Sequence, residues 1–285
     1  MRAARLARSR AWAQHGAASR PGAASRPGTF RATAAVAASG GGALPAPPPL
    51  RRLPPPPPSL LYLLRTGRPT NAAHAVWAAV IGDGDRTGQF AVDATAGLGG
   101  DTVGLARLLG PGGRVLALDT QRSALAATAA AVEAASSEGD SLAAVDLRLA
   151  CHSTLGALLA GEPAAPVCIA FNLGYLPAAG GACKEATVAA AGSPVSTAAG
   201  SPVSTATTPS TTLPALEGAA GALTPGGVLT VAAYVGHPGG AEEADAVRAF
   251  LAGLDAKRWV VSETRLPNRP TAPTLSVAYK KRAGE

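Results

Sequence analysis

Acid is missing from the first part of this 285-residue chain, whose first aspartate or glutamate is Asp83. Residues 1–60 hold nine arginines, no lysine and no acidic side chain. The formal net charge of +7 therefore misdescribes the remainder, which carries 16 basic and 18 acidic side chains. An Arg-rich, acid-free N-terminus has the composition of an organellar transit peptide; a disordered basic tail that binds RNA nonspecifically is the alternative. The segment includes a tandem repeat, AASRPG, at 17–22 and 23–28, and Pro54 to Pro58 follow as a stiff spacer. We read 1–58 as a disordered leader and spacer addressed to the chloroplast, with the mitochondrion as the alternative.

Cysteine is scarce. Cys151, Cys168 and Cys183 lie far apart, and no CxxC or Cys/His spacing suggests zinc. This argues against a disulfide framework and a zinc site, so no metal is expected and a reducing compartment fits. Cys168 sits in an apolar run and is expected to be a small buried residue. No uninterrupted apolar run reaches about 18 residues, so no membrane span is expected. Aromatics make up only 4%.

What remains, 59–285, alternates. After helical pieces between 60 and 80, broken at Gly67–Pro69, the pattern predicts strand 89–94, helix 101–109, strand 114–119, helix 122–136, strand 145–150, helix 153–160 and strand 166–172. Helix 211–222, strand 227–234, helix 241–253 and strands 258–265 and 274–280 complete it. Strands alternating with helices imply an α/β fold: a mostly parallel sheet with helices on both faces. The last two strands have no helix between them, and their short link LPNRPTAP makes them an antiparallel hairpin. One segment breaks the rhythm. AAGSPVST at 190–197 recurs at 198–205, which predicts a disordered insertion at about 178–210. Removing 180–208 is accordingly expected to spare the fold.

The stretch DATAGLGGDT, residues 93–102, reads as strand end, glycine turn and helix start. Gly97 and Gly99 allow a tight turn and close approach to a ligand. Asp101 and Thr102 begin the helix. Asp119 ends the next strand, about 20 residues on, where a ribose hydroxyl pair is held. This layout fits NAD(P) and S-adenosylmethionine alike. Asp93 at the first strand end and Asp101 at the helix start, where it would repel a pyrophosphate, favour S-adenosylmethionine. So does the terminal hairpin, the mark of the seven-stranded Rossmann-like methyltransferase sheet. FNLGYLP at 171–177 resembles the Asn-Pro-Pro-Tyr type motif of methyltransferases that act on amino groups.

Taken together, DATAGLGGDT, LDTQ, CHSTL, FNLGYLP, TTLPAL and YVGHPGG resemble, in order and spacing, one family. It was first labelled rRNA methylase and is now understood as tRNA 5-(aminomethyl)-2-thiouridine methyltransferases. The resemblance covers about 70–281. It implies that S-adenosylmethionine contacts Asp93, Thr95, Gly97, Gly99, Asp101, Thr102, Asp119, Gln121, His152, Ser153 and Asn172. It implies catalytic roles for Asn172, Tyr175 and His237, and substrate contacts from Leu173, Gly174, Tyr234, Gly236 and His237. Asn172 and the Leu173 carbonyl would accept N–H bonds from the amine, and Tyr175 would stack on the base. The implied partner is the tRNA anticodon loop, where a single-stranded wobble base enters a pocket without duplex melting. Where the family usually has Gly-Asn-Gly, this chain has Gly97-Leu98-Gly99; the backbone turn should survive.

Lys257, Arg258, Arg265, Arg269, Lys280, Lys281 and Arg282 are read either as a basic edge for RNA or as a solvated face. No separate RNA-binding domain is visible, which leaves the tRNA grip to the catalytic domain or to a homodimer. His74 and Trp77, one helical turn apart, read as core packing rather than a lid. Two other readings stay open: a methyltransferase for another RNA or a small amine, and a non-catalytic binding protein.

Overall fold

Each apolar run bounded by glycine or a polar turn becomes a strand, and each long alanine- and leucine-rich segment a helix. The computed structural model describes residues 29–31, 68–82, 86–174, 195–196, 202–203 and 206–285. Tyr175, Cys183, most of 1–58 and most of 178–210 lie outside the described residues. In chain order the elements are α1 (Pro69–Ile81), β1 (Phe90–Asp93), α2 (Gly100–Leu109), β2 (Arg114–Asp119) and α3 (Arg122–Ser137). Then come β3 (Ala144–Leu149), a 3₁₀ turn at His152–Thr154, α4 (Leu155–Ala160), β4 (Cys168–Leu173) and α5 (Pro209–Ala222). The chain ends with β5 (Val228–Ala233), α6 (Gly240–Ala252), β6 (Trp259–Thr264) and β7 (Thr274–Lys280).

The seven strands lie in the order β3-β2-β1-β4-β5-β7-β6. β7 runs antiparallel to both β5 and β6, so the expected hairpin is present and its last strand is slotted inside the sheet. The other strands are mutually parallel. Strand order reverses between β1 and β4, and the crevice at their carboxyl ends is where a doubly wound sheet binds ligands.

Period-two burial divides the core. Ile169, Phe171 and Leu173 of β4 pack with Leu155, Leu216 and Val247 on the α4–α6 face. Cys168 and Ala170 pack with Trp77, Leu105 and Leu109 on the α1–α2 face. Cys168 is fully buried, as its apolar surroundings predict. Both faces are covered, which explains why β1 and β5 are buried at every position.

Two short pairings fall where the sequence reading expects no structure. Thr29–Arg31 lies antiparallel to β3, with Phe30 opposite Leu147. β3 is otherwise an edge, and its outward N–H and C=O groups accept an extended segment. Val195 pairs with Val203, so the two copies of the octapeptide pair with each other.

The insertion's far boundary also differs from the expected 210. Pro209 already opens α5, and Thr207 is held at the end of β4. The Thr207 N–H donates to the Gly174 carbonyl at 2.8 Å, and the Gly174 N–H donates to Thr207 Oγ1 at 2.8 Å. The excursion therefore leaves and returns at one bonded point, and a cut through 208 would remove that clamp. Deleting 178–205 instead keeps Thr207 and leaves a short link across the Gly174–Thr207 bonds. Each halving of a loop lowers its closure cost by about 0.6 kcal/mol. The deletion is expected to leave the melting temperature unchanged or raised; a clear fall in calorimetry would show that the insertion supports the fold.

Candidate active site

The glycine turn is built from beneath by Asp93. Its side chain has no exposed surface. Oδ1 accepts the Thr95 N–H at 3.1 Å, and Oδ2 accepts the Thr102 hydroxyl at 2.6 Å. Asp93 was expected to contact the cofactor; full burial under the loop makes it the loop's anchor instead. Gly97 and Gly99 take the left-handed conformation, at φ +54° and +85°. A Cβ on Gly99 would lie 2.8 Å from Thr128 Cα of α3, so this position is closed to any side chain. The Gly99 N–H bonds the Ala96 carbonyl at 2.8 Å, so the turn does survive with Leu98 at its tip, half exposed.

Asp119 stands across from this turn. Its two oxygens accept the N–H groups of Gly97 at 3.0 Å and Gln121 at 2.9 Å. Burial raises its pKa above the usual value, against the pull of those backbone bonds.

Asp93 is raised further, from its ordinary 3.8 to about 7, by burial first and then by the charge of Asp101. The folded state therefore holds more protons than the unfolded chain between about pH 4 and pH 7. Stability falls as pH rises through that window and is level above it. Asp93→Asn stays neutral and keeps an acceptor for Thr95. Ligand-free wild type is expected to lose melting temperature relative to Asp93→Asn as pH rises from about 5 to 7. Parallel profiles would contradict the raised pKa.

A second chain of bonds crosses the crevice. Asn172 Nδ2 donates to Asp101 Oδ2, and His74 Nε2 lies 2.6 Å from Asp101 Oδ1. The carboxylate is an acceptor, so a neutral His74 carries its proton on Nε2. His74 stacks on Trp77 with ring centroids 4.5 Å apart, and Trp77 Nε1 donates to Thr230 Oγ1 at 2.9 Å. Trp77 is core, as expected, while His74 also reaches the crevice, a placement the sequence reading set aside in favour of core packing. With Nδ2 committed to Asp101, the acceptor Oδ1 of Asn172 remains for a ligand. The Asn172 N–H donates to Thr95 Oγ1 at 2.7 Å, tying the end of β4 to the glycine turn.

The other expected residues divide. The Leu173 carbonyl accepts the Tyr234 N–H at 2.9 Å within the sheet and Leu173 is fully buried, which weakens its expected role as an amine acceptor. Gly174 lies against Tyr234 and His237: a Cβ there would sit 3.1 Å from Tyr234 Cβ and 3.5 Å from His237 Nε2. His237 Nδ1 lies 3.0 Å from the Pro238 carbonyl. A proton on Nδ1 makes Nε2 an acceptor at the end of β4. Gly236 lies in the same turn. Ser153 Oγ bonds Cys151 Sγ at 3.1 Å. His152, expected beside the cofactor, is buried edge-on to Phe171 and 3.5 Å from Thr212 Oγ1. Burial lowers its pKa to about 4, so it is neutral at physiological pH.

Sequence reasoning missed Glu243. It is 1% exposed and accepts the hydroxyls of Thr207 and Thr212, each at 2.6 Å. It thus holds the clamp on Gly174. Its partners lie 36 and 31 residues away, and PGGAEE reads locally as an ordinary helix start. Among the described residues no cluster of three or more His, Cys, Asp or Glu is placed to hold a metal. No described helix is long and apolar enough to cross a membrane.

The crevice thus gathers Asp101 and Asp119 around a glycine turn that the buried Asp93 supports from below. That charge repels a pyrophosphate and suits a cationic ligand with a ribose. Comparison with known proteins agrees. Residues 115–191 and 199–280 match the family described as "Putative rRNA methylase". A chloroplastic tRNA (mnm(5)s(2)U34)-methyltransferase of Arabidopsis thaliana is 35% identical over 227 residues, 77% of this chain and 72% of the relative. An rRNA methylase structure from Clostridium thermocellum matches at TM-score 0.58 and 29% identity, covering 75% of this chain and 97% of the other. A Streptococcus mutans methyltransferase in complex with SAH matches at TM-score 0.55 and 29% identity, covering 75% and 98%. The chain belongs to the rRNA methylase family of Rossmann-like methyltransferases.

Proposed function

We propose that this chain is a chloroplast S-adenosylmethionine-dependent tRNA methyltransferase. Its substrate is the exocyclic amine of 5-aminomethyl-2-thiouridine at wobble position 34, and its product is 5-methylaminomethyl-2-thiouridine. The observation that carries this reading is Asn172 at the end of β4, its Nδ2 held by Asp101 and its Oδ1 left for an amine hydrogen. The Arabidopsis relative supports the tRNA substrate and the organelle, with 1–58 as transit peptide and the mitochondrion as the alternative address.

The acid-lined crevice fits S-adenosylmethionine. Asp119 would hold the ribose hydroxyls, and Asp101, in the first turn of α2, would meet the cationic end. When bound, the cofactor supplies a methyl carbon that is already electrophilic. The protein's task is then alignment. Asn172 Oδ1 accepts one N–H of the neutral amine and aims its lone pair at that carbon. The bound cofactor would supply the methyl group for the new C–N bond, and its sulfur would keep the electron pair of the bond given up. The nitrogen, now a secondary ammonium, releases a proton, for which the Asp101 carboxylate is an acceptor beside Asn172. His74 holds Asp101 from the other side. Tyr175 is proposed to stack on the base, and His237 to bond it or its phosphate from the glycine-rich turn.

Nucleoside analysis of organellar tRNA from a line lacking the gene tests this reading. Accumulation of unmethylated 5-aminomethyl-2-thiouridine is expected. A normal level of the methylated nucleoside, with another RNA or a small amine left unmethylated, would reassign the substrate.

A further inference from the structure

The sequence groups seven basic residues near the C-terminus, but the fold does not keep them together. Lys280 is buried, and its Nζ donates to the carbonyls of Leu223 at 2.6 Å and Ala220 at 3.0 Å, capping α5. Arg258 and Lys281 meet at the amino end of β6, where the Lys281 N–H bonds the Arg258 carbonyl at 2.8 Å. Lys257 and Arg282 flank them in sequence. Arg265 and Arg269 follow the carboxyl end of β6, one strand length away or roughly 20 Å. That is the end of the sheet at which the crevice opens.

There, Arg265 and Arg269 join Arg248 of α6 around a cavity of about 340 Å³ walled by Val235, Pro267 and Pro270. Arg248 Nε bonds Glu263 Oε2 at 2.9 Å and its guanidinium pairs with Asp245; Arg265 also pairs with Glu263. The exposed Arg269 side chain makes no hydrogen bond or ion pair among the described residues. Three guanidinium groups thus face two carboxylates, leaving one positive charge in excess. The cavity adjoins the crevice: Val235 follows Tyr234, which stands against Gly174, and Ala233 pairs with Thr274 of the cavity wall. A Cβ on Gly236 would lie 3.6 Å from the Thr271 carbonyl, so the turn carrying His237 packs on the β6–β7 link.

We infer that this cavity is a phosphate-binding subsite for the RNA backbone beside the reacting base, an inference that rests on the tRNA reading above. A guanidinium fork matches a phosphodiester in geometry as well as charge. Such contacts set the register of an RNA without reading its sequence, which is what presenting one base to Asn172 requires. The far-end group, Lys257, Arg258, Lys281 and Arg282, does not share this role.

The test titrates a labelled anticodon stem-loop RNA into the full chain across a range of salt concentrations. Arg265→Gln/Arg269→Gln is expected to weaken RNA binding about tenfold or more. The slope of log affinity against log salt should fall by roughly 1.4, from two lost contacts at about 0.7 each. S-adenosylmethionine affinity and melting temperature should match wild type, which excludes misfolding as the cause. Arg258→Gln/Lys281→Gln should bind RNA as wild type does. A wild-type slope in the Arg265/Arg269 variant, or a loss confined to the far-end variant, overturns the subsite alone. Wild type that binds no RNA but captures an acidic peptide at this cavity overturns the tRNA reading with it.

Discussion

Asp119→Ala is expected to weaken S-adenosylmethionine binding by about a hundredfold or more. The two ribose hydroxyls would each donate to this carboxylate, and charge-assisted bonds of this kind contribute about 1.5–3 kcal/mol each. The structure adds a second loss. The same oxygens hold the Gly97 and Gln121 N–H groups, so alanine also frees the glycine turn. Asp119→Asn separates the two effects. It keeps one acceptor and the side chain's shape while removing the charge, and should fall between wild type and alanine. Calorimetry reads all three, and unchanged affinity in the alanine variant would contradict the assignment.

Asn172→Ala is expected to act on the other axis, slowing methyl transfer while leaving cofactor affinity nearly unchanged. Losing one positioned polar group at the reacting centre costs roughly 3 kcal/mol, about a hundredfold in rate. Asn172 is held at both ends, by its backbone N–H to Thr95 and by Nδ2 to Asp101. Its Oδ1 is therefore aimed before substrate arrives, which is the condition for a large effect. Asn172→Asp should be no rescue, since it places a second carboxylate against Asp101. Single-turnover methylation as fast as wild type in the alanine variant would make Asn172 a turn residue.

Much of this architecture is legible in the chain itself. β2 and β7 run where their apolar residues and flanking turns place them, at 114–119 and 274–280. The glycine turn declares itself because Gly99 sits where a Cβ would strike α3. Asp119 and Asn172 are legible because strand ends in a doubly wound sheet point to one crevice. Contacts made only through space are not legible. His74 meets Asp101 across 27 residues, and nothing in NAAHAVW distinguishes that histidine from core packing. Glu243 looks like a solvated first-turn acid until the fold brings two threonine hydroxyls to it. Lys280 looks like part of a basic surface until α5 presents its carbonyls. The position of β7 inside the sheet likewise depends on register against β5, which no local pattern encodes.

The proposed activity is methyl transfer to the exocyclic nitrogen of a wobble uridine. Its most direct test is a reaction of the purified protein with methyl-labelled S-adenosylmethionine and tRNA bearing 5-aminomethyl-2-thiouridine, followed by nucleoside digestion and mass spectrometry. One labelled methyl is expected, on the aminomethyl nitrogen of the wobble nucleoside, and none on tRNA that lacks the aminomethyl group. Label on a ribose, on a ring atom or on another RNA, with the wobble amine untouched, would contradict it.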